Sequence, residues 1–442
     1  MKPIGLIILV VTTSVPALQL FLLPNISDNA ALFSQYLGMA ALVLMAWGQI
    51  MATRFVGIEA IFGGLDRVYV LHKWAGIFAM TAILLHDTID ADMRGLGSET
   101  ALNELAETLG ELSLYGLLIL VVISVATFIP YHLWKWTHKA MGALFSAGTF
   151  HFIFIMKPFA MSDPAGIYTG LFCLAGLIAY IWTLLPDRMR LAHRYEITEI
   201  DQTGETTAVT MKPVGKGLTP KPGQFGIFRF AGSKTDESHP FSFSKIGEDK
   251  ALRVTVKKLG DFTTGLARTI AVGQDVRVQG PFGRFNLRGT GPQIWIAGGI
   301  GITPFLTWAE ALDTSAAQVD LFYCVRSRTE APHLSEIEAF EAVKPNLNLH
   351  VILSSEGQRA SAKVVSDTVG PNLGAAKVAF CGPISLRQSL QSGLRSYGVA
   401  PRDFHYEEFE FRTGVGLGRL ANWVANQTLL KVARVASIRS IR

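Results

Sequence analysis

The apolar residues of this chain follow two different patterns along its length. Up to about Leu185 they form six long runs, whereas from Pro186 onward short alternating segments are mixed with many charged residues. A run of about 20 apolar residues is long enough to cross a bilayer. The runs predict membrane spans at residues 4–23, 32–52, 68–88, 112–129, 138–159 and 165–185. The change of pattern at Pro186 marks the main domain boundary.

The composition points to a membrane protein. The chain has 442 residues, of which 49% are hydrophobic, and this excludes an ordinary soluble enzyme. The first run could be a signal peptide, but it lacks a clear small-residue cleavage site and five further runs follow it. The spacing of the three cysteines fits neither a metal site nor a disulfide framework. The net charge of +5 suits a membrane surface made of lipid, and we expect no nucleic-acid partner.

Charges between the runs predict the orientation in the membrane. The segment from Asp87 to Glu111 carries seven acidic residues and one arginine, so we expect it to face outward. Basic residues near Arg54, Lys135 and Arg190 mark cytoplasmic segments by the same rule. Six spans with the N-terminus inside then deliver the second half of the chain to the cytoplasm, and we expect the membrane to be a bacterial inner membrane.

Histidines within the spans are the first candidates for chemistry. His72 and His86 lie fourteen positions apart, so they share nearly one helix face at a separation of about 21 Å. His138 and His151 are thirteen apart and share a face only if their helix bends. The topology places His72 level with His138 near the cytoplasm and His86 level with His151 near the outer side. Because haem iron accepts axial histidine and an imidazole in hydrocarbon is costly, we predict two bis-histidine haems.

Other interpretations of these histidines stay open at this point. One membrane histidine alone is typical of an interfacial polar contact or a proton relay, and His132, which has no level partner, is interpreted as interfacial. A transporter or a cytochrome-like quinone reductase, without a chain of haems, is the alternative class of protein.

Short strands dominate the second half of the chain. From Tyr195 to about Leu287, segments such as "YEITEI" and "LRVTVKKL" alternate between turns, which predicts a small antiparallel barrel. From Gln293 strands alternate with helices, which predicts a parallel sheet of the nucleotide-binding type. We therefore expect a multi-domain membrane protein with a six-helix transmembrane bundle, an antiparallel β-barrel domain and an α/β parallel-sheet domain. The predicted domains are 1–190, 191–290, 291–411 and a basic C-terminal extension, 412–442.

Three motifs in this half are candidates for cofactor binding, and two of them, "AGGIGITPF" and "KKLGDFTTGL", are suited to phosphate groups. In "AGGIGITPF", glycines at 298, 299 and 301 would let the backbone approach a pyrophosphate, and helix amides near Thr303 would face its charge. "HPFSFS" places serine hydroxyls and a ring on an extended strand, and "KKLGDFTTGL" supplies basic groups, a turn and two threonine hydroxyls. Each motif by itself is also common in ordinary barrel or sheet sequences.

In combination, the motifs of this chain resemble those of the NADPH oxidase and ferric reductase superfamily. The motifs follow six predicted spans with paired histidines. In sequence order they are "HPFSFS", "GDFTTGL", "GPFGRF", "GGIGITPF", "FCGP" and "EEFEF". The resemblance extends from about the second span to Phe411, although the cytoplasmic motifs also occur in soluble ferredoxin–NADP reductase-like proteins. It implies FAD on the barrel, a pyridine nucleotide on the sheet domain and two b-type haems in the membrane.

The resemblance also implies roles for individual residues. The flavin ring and its ribityl chain would contact His239, Pro240, Phe241 and Ser242, and the FAD pyrophosphate would contact Gly260, Asp261, Phe262 and Thr263. The dinucleotide would contact Gly298, Gly299, Gly301, Ile302, Thr303 and Pro304, with Cys381, Gly382 and Pro383 beside the nicotinamide. Phe411 would cover the flavin face, with Phe409 as the alternative.

Two further expectations concern the nucleotide and the electron acceptor. Arg326 in "VRSRTE" is suited to a 2′-phosphate, which favours NADPH with NADH still possible; solvated loop charges are the alternative interpretation. Dioxygen, giving superoxide, is the expected acceptor on the outer side, and ferric chelates or a periplasmic partner protein are the alternatives. Residues after Phe411 fit either an amphipathic helix on the membrane surface or a disordered basic tail.

Overall fold

The computed structural model describes most of the chain. The described residues are 2–23, 28–89, 100–125, 131–186, 190, 192–231, 238–286 and 291–407. Phe411, its alternative Phe409 and the basic extension lie outside them, as do the side chains of His132 and Asp261.

The first half of the chain is helical. Its helices are α1 (Pro3–Phe21), α2 (Asn29–Ala52), α3 (Val56–Phe62), α4 (Leu65–Thr88), α5 (Ala101–Val125), α6 (Tyr131–Phe154) and α7 (Pro164–Leu184). In the described part of the chain, five of them (α1, α2, α4, α5 and α7) are long and apolar enough to cross a membrane. Helix α6, with 24 residues, has sufficient length, but its imidazoles and lysines make it more polar.

The sequence placed the ends of two helices incorrectly. Helix α5 begins at Ala101 rather than at residue 112, because Thr100 and Asn103 bond each other's backbone N–H groups in a capping arrangement. Part of the acidic segment that was expected to be a loop is therefore helix. Helix α6 covers Tyr131–Phe154 instead of 138–159, and it ends before Pro158, whose ring disfavours helical backbone in the residue before it. The hydrophobicity of a sequence does not by itself reveal capping residues or the residue at which a helix ends.

The second half contains an antiparallel barrel followed by a parallel sheet, which confirms the predicted fold class. The barrel consists of β1 (Ala192–Thr203), β2 (Thr206–Pro213), β3 (Phe225–Phe230), β4 (His239–Ile246), β5 (Leu252–Lys257) and β6 (Asp275–Phe282), with α8 (Asp261–Thr269) after β5. It closes in the order β1-β2-β5-β4-β3-β6. Alternate residues point inward, so that Phe228, Phe230 and Phe243 are fully buried in its core.

The parallel sheet has the strand order β11-β10-β7-β8-β9. Its elements are β7 (Gln293–Gly298), α9 (Thr303–Ala311), β8 (Val319–Val325), α10 (Leu334–Val343), β9 (Leu347–Leu353), α11 (Ala362–Val369), β10 (Lys377–Cys381), α12 (Ile384–Ser396) and β11 (Phe404–Tyr406). Trp295, Phe305 and Trp308 form the aromatic centre of the core on one face of the sheet. Parallel strands are covered on both faces, so their sequences are nearly continuous apolar runs, as in "QIWIAG".

The chain divides into two compact units that we describe separately. The helical unit contains Leu6–Thr53 and Tyr69–Leu184. The barrel–sheet unit contains the described chain from Leu185 onward together with Met1–Gly5 and Arg54–Val68. Helix α3 and the first four residues of α4 therefore belong to the barrel–sheet unit, although in sequence they lie between two spans.

Candidate cofactor sites

Each of the four histidines predicted to bind haem has its Nδ1 atom held by an oxygen of a neighbouring helix. The Nδ1 contacts are His72 to Gly48 O (3.0 Å), His86 to Ser34 O (2.8 Å), His151 to Ala106 O (2.9 Å) and His138 to Ser124 Oγ (3.2 Å). A carbonyl oxygen only accepts, so in three of the four the Nδ1–H must donate and Nε2 keeps its lone pair. This is the arrangement in which histidine binds a metal through Nε2.

Helix α2 holds the histidines of α4, and α5 holds those of α6. On α2, Ser34 and Gly48 are fourteen residues apart, the same separation as His72 and His86 on α4. The two contacts are therefore about 21 Å apart along α2, which places the imidazoles of α4 at two levels. The sequence analysis missed these oxygens, because backbone carbonyls leave no signal in a sequence.

The structure brings one predicted pair of histidines together. The ring centroids of His72 and His138 are 5.9 Å apart, with their planes inclined at 57°. A metal between two imidazoles, with bonds of about 2 Å to each nitrogen, would place the centroids about 6 Å apart. The indole of Trp134 stacks on His138 at 4.8 Å and restricts its orientation. The residues therefore fit a bis-histidine metal, whereas the pairing of His86 with His151 stays a prediction.

Glycines lie against the two histidines of the predicted outer site. A Cβ atom built on Gly38 would be 3.3 Å from His86 Nε2, and one built on Gly110 would be 2.5 Å from His151 Nδ1. The second distance is shorter than any real Cβ contact, so a larger residue at Gly110 would displace the imidazole. The glycine at position 38 leaves the Nε2 side of His86 open.

Two of the motifs assigned to the flavin meet in the barrel. The rings of His239 on β4 and Phe262 on α8 stack at 3.7 Å and 20°. Pro240 and Phe241 are half-buried on the same strand, and Ser242 is buried. The structure thus joins "HPFSFS" and "GDFTTGL" into one surface.

The second of these motifs is a helix start rather than a turn. Gly260 caps α8, so the first amides of the helix can face an anion, as the predicted FAD pyrophosphate requires. The hydroxyl of Thr263 has a different use from the expected one, because it accepts the N–H groups of Leu259 (2.9 Å) and Gly260 (3.1 Å). The backbone is left to contact the phosphates.

The glycine-rich turn and the "FCGP" motif also come together. Gly298 ends β7, Gly299–Ile302 form a single 3-10 turn, and α9 begins at Thr303 with Pro304 in its first turn. A Cβ atom on Gly301 would be 2.2 Å from the carbonyl oxygen of Cys381, and one on Gly298 would be 2.7 Å from Pro383 Cδ. Two of the three glycines are thus required for packing against the end of β10. Gly299 has a positive φ of 56° and open space around it.

Cys381 is only 1% exposed, and Gly382 follows it with a positive φ of 159°. Burial, together with the charge of Glu407, raises the pKa of this thiol well above its ordinary value. The sulfur is therefore protonated and shielded, and the residue contributes to the site through its backbone.

The loop predicted to select the nucleotide lies at the end of β8. Arg326 is exposed, and its carbonyl accepts the N–H of Ser355 (2.9 Å), which joins the "VRSRTE" and "LSSEG" loops. Arg328 is paired with Glu338 on α10. The geometry therefore leaves Arg326 as the better candidate for a 2′-phosphate.

Sequence reasoning missed a buried carboxylate, Glu407, which directly follows β11. Its side chain is 6% exposed, and its Oε2 atom has no hydrogen-bond partner among the described residues. Burial raises the pKa of Glu407 well above its ordinary value, and the charges of Asp66 and Glu59 raise it further. Glu407 is the first residue of "EEFEF", a motif for which the sequence predicted a role only for the aromatic residues.

These features define a flavin- and nucleotide-dependent oxidoreductase with a helical membrane domain. Comparison with protein families agrees in all three parts. The family described as the ferric reductase like transmembrane component matches residues 37–149, the FAD-binding domain matches 195–301 and the oxidoreductase NAD-binding domain matches 295–392. The chain is thus a multi-pass membrane oxidoreductase with the domain architecture of the NADPH oxidase and ferric reductase superfamily.

Curated relatives match about half of the chain or less. The toluate 1,2-dioxygenase electron transfer component of Pseudomonas putida is 29% identical over 227 residues, which are 48% of this chain and 66% of that protein. The heme-dependent oxidative N-demethylase beta subunit of Ectopseudomonas mendocina is 30% identical over 182 residues, 39% of this chain and 56% of that protein. The matches thus span 56% to 66% of the length of these relatives.

The matches to solved structures cover a comparable share of the chain. The Amycolatopsis cytochrome P450 reductase GcoB has a TM-score of 0.45 at 22% identity, over 49% of this chain and 69% of that chain. The FAD/NAD-binding domain of nitric oxide dioxygenase from Vibrio cholerae has a TM-score of 0.43 at 23% identity, over 49% and 97% of the two chains.

Proposed function

We propose that this protein carries electrons from cytosolic NADPH through FAD and two b-type haems to dioxygen on the outer side of the membrane, with superoxide as the product. The observation that carries the proposal is the common environment of His72, His86, His138 and His151. Each has Nδ1 bonded to an oxygen of the adjacent helix, and the rings of His72 and His138 are separated by the distance that a shared metal needs.

The chain's own residues contribute binding and orientation rather than acid–base chemistry. When bound, FAD supplies the conversion of a two-electron hydride donor into single-electron transfers, and haem iron supplies a one-electron relay. His239 and Phe262 offer an aromatic surface on the barrel, and the amides at the start of α8 offer an anion site. Histidine on both faces of each haem would leave no iron position for dioxygen, so we expect reduction of dioxygen at the haem edge.

The direction of electron flow is supported by the relatives. Two of them are named as an electron transfer component and a reductase component of dioxygenase systems, so these proteins pass electrons to a partner. In this chain the covalently linked membrane domain takes the place of a separate partner. The predicted positions of the spans put the nucleotide site in the cytoplasm and the second pair of histidines near the outer side.

Reduction of ferric chelates, or of a periplasmic protein, is the alternative function. The description of the matching membrane domain as ferric reductase-like favours the chelate. The acidic residues at the start of α5 (Glu104, Glu107 and Glu111) would repel an anionic chelate, which favours dioxygen.

Purified protein in lipid nanodiscs tests the proposal. We expect bound FAD, about two haems per chain with a reduced α band, and haem reduction by NADPH without oxygen. Admission of oxygen should reoxidise the haems and yield superoxide that superoxide dismutase removes. A colourless protein would exclude the haem chain, and reoxidation by ferric citrate but not by oxygen would establish the alternative.

Nucleotide choice is tested separately at Arg326. If its guanidinium binds the 2′-phosphate, Arg326→Ala should lower kcat/KM for NADPH about tenfold, since a charge-assisted hydrogen bond is lost, and leave NADH unchanged. Arg359→Ala, a change to another arginine in the same domain, is the control. Equal effects on both nucleotides would show that Arg326 has no part in this choice.

A further inference from the structure

A short segment between the second and third spans packs as part of the barrel–sheet unit. It contains helix α3, the turn at Gly63 and Gly64, and the first residues of α4, and it belongs to the barrel–sheet unit from Arg54 to Val68. Helix α4 then continues without a break into the helical unit, where it carries His72. We call Arg54–Val68 the docking segment.

The first anchor of the docking segment is the carboxylate of Glu59. This side chain is 4% exposed, and its Oε1 accepts the N–H of Leu65 (2.7 Å) and the N–H of Gly283 (3.0 Å). Gly283 lies in "GPFGRF", directly after the barrel strand β6, and has a positive φ of 97°. One carboxylate thus joins the start of α4 to a loop of the flavin-binding barrel.

The second anchor is the aromatic ring of Tyr406 on β11. The Arg67 guanidinium lies 4.4 Å from the ring centroid and donates to the Tyr406 hydroxyl (3.0 Å), while the Arg387 guanidinium lies 4.1 Å from the same ring. Cation–π contacts of this kind favour a fixed orientation of both partners. Since β11 leads directly to Glu407 and then to the predicted flavin-covering aromatic, Arg67 connects the start of α4 to this end of the chain.

Both anchors act on the seven residues of α4 that precede His72. Arg67 is five positions from His72 on one continuous helix, and Leu65, the donor to Glu59, is seven. The anchors lie within the barrel–sheet unit, and they hold the first residues of the helix that further along its length carries His72, a predicted ligand of the inner haem. Neither anchor residue is among those predicted to contact a cofactor.

From these contacts we infer that Glu59, Arg67 and Tyr406 are positioning residues that govern the transfer of electrons from flavin to the inner haem. The inference rests on the proposed function. The anchors hold the start of α4 in register with the Gly283 loop and with β11. Releasing them should slow reduction of the haem by reduced flavin and leave reduction of the flavin by NADPH unchanged.

Anaerobic stopped-flow spectroscopy on the full-length protein separates the two steps. In Arg67→Ala, which removes both the cation–π contact and the hydrogen bond to Tyr406, we expect haem reduction to slow by about tenfold or more, because small misplacements are costly in rate. Tyr406→Phe keeps the ring and removes only the hydroxyl, so we expect it to slow haem reduction by a smaller factor. Flavin reduction, FAD content and haem content should stay within about twofold of the wild type by the same argument. Tyr397→Phe, at an exposed tyrosine in the same unit, is the control for the hydroxyl.

Glu59 allows a conservative rescue. Burial raises the pKa of Glu59, although the N–H donors of Gly283 and Leu65 lower it, so a neutral side chain of the same shape is an appropriate substitute. Glu59→Ala should slow haem reduction and speed hydrogen exchange at the Gly283 and Leu65 amides, whereas Glu59→Gln should restore both. Glu341→Gln is the control, because Glu341 likewise accepts a backbone N–H, from Leu349 at 2.7 Å.

The outcomes distinguish this inference from the proposed function. If NADPH reduces the haems of the wild type and the variants slow only that step, the inference is supported. Variants that match their controls, or that slow flavin reduction equally and melt at lower temperature, overturn it and leave the proposed function intact. A wild-type protein whose haems NADPH cannot reduce overturns both.

Discussion

The helical unit and the barrel–sheet unit build their candidate sites in opposite ways. In the helical unit single imidazoles project from helices α4 and α6, and an oxygen of the adjacent helix contacts each Nδ1. In the barrel–sheet unit the sites lie at strand ends, where backbone amides and closely packed glycines form the surface. A site made of side chains depends on a few residues and their partners, whereas a site made of backbone depends on local packing.

The strongest test of this difference is the loss of one imidazole. His86→Ala or His151→Ala should remove the outer haem and external reduction altogether, while NADPH still reduces the flavin. Haem content by pyridine haemochrome and flavin bleaching under anaerobic conditions measure the two results. His132→Ala is the control, because we interpret that residue as interfacial. Full haem content and external activity in both variants would contradict the ligand assignment.

A smaller effect should follow when the partner of an imidazole is removed. Among the described residues, His138 Nδ1 has the Ser124 hydroxyl as its one hydrogen-bond partner, whereas His86 Nδ1 contacts both the hydroxyl and the carbonyl of Ser34, and no substitution deletes the carbonyl. Ser124→Ala should therefore weaken haem binding about 10- to 100-fold, and Ser34→Ala much less. Transfer of haem to apomyoglobin measures both affinities. Equal losses in the two variants would show that the hydroxyls do not orient the rings.

In the barrel–sheet unit the corresponding test changes a glycine. Gly301→Ala would place a Cβ atom 2.2 Å from the Cys381 carbonyl oxygen, so the turn must shift at a cost of about 1–3 kcal/mol. Thermal unfolding followed by flavin fluorescence measures the loss of stability. Gly374→Ala, which has open space around it, is the control. An unchanged melting temperature for Gly301→Ala would mean that packing does not require this glycine.

The smallest expected effect concerns a pair of residues on the edge of the sheet. Burial would raise the pKa of Asp320, but hydrogen bonds from His350 (2.9 Å) and Asn348 (3.1 Å) outweigh it and lower the pKa. A lowered carboxyl pKa stabilises the fold above its unfolded value of about 3.9 and loses that contribution as pH falls through the folded value. Asp320→Asn should thus cost about 0.5–1 kcal/mol at pH 6 and less at pH 3.

Melting temperatures at the two pH values check this prediction. Asp367→Asn, which removes an exposed pair with Lys363, should change little at either pH and serves as the control. A constant difference between Asp320→Asn and the wild type across this pH range would show that the carboxylate charge is not the cause.

The sequence predicted the fold class and the motifs better than it predicted the contacts. The runs of apolar residues located the spans because lipid demands a long apolar helix, but the cap at Thr100 and the stop before Pro158 depend on polar and backbone groups. The histidines could be found because imidazole is rare in spans. Their carbonyl partners, the buried Glu407 and the docking of Arg67 on Tyr406 could not, because each joins segments distant in sequence.

The sequence also could not predict that two glycines are required for close packing. The sequence analysis explained Gly298 and Gly301 by the close approach of a pyrophosphate. The structure shows that a side chain at either position would also collide with the residues from Cys381 to Pro383. A glycine-rich turn looks the same in sequence whether a ligand or another strand approaches it. The strand order, with β10 beside β7, reveals the packing role, and the contact with a dinucleotide stays a prediction.

Electron transfer across the bilayer is the central claim, and one measurement tests it most directly. The protein is reconstituted into liposomes that contain a membrane-impermeant acceptor, ferricytochrome c, and NADPH is added only outside. The account predicts NADPH-dependent reduction of the trapped cytochrome c, partly sensitive to superoxide dismutase in the lumen and absent in His151→Ala. Reduction only when the acceptor is on the same side as NADPH would contradict it.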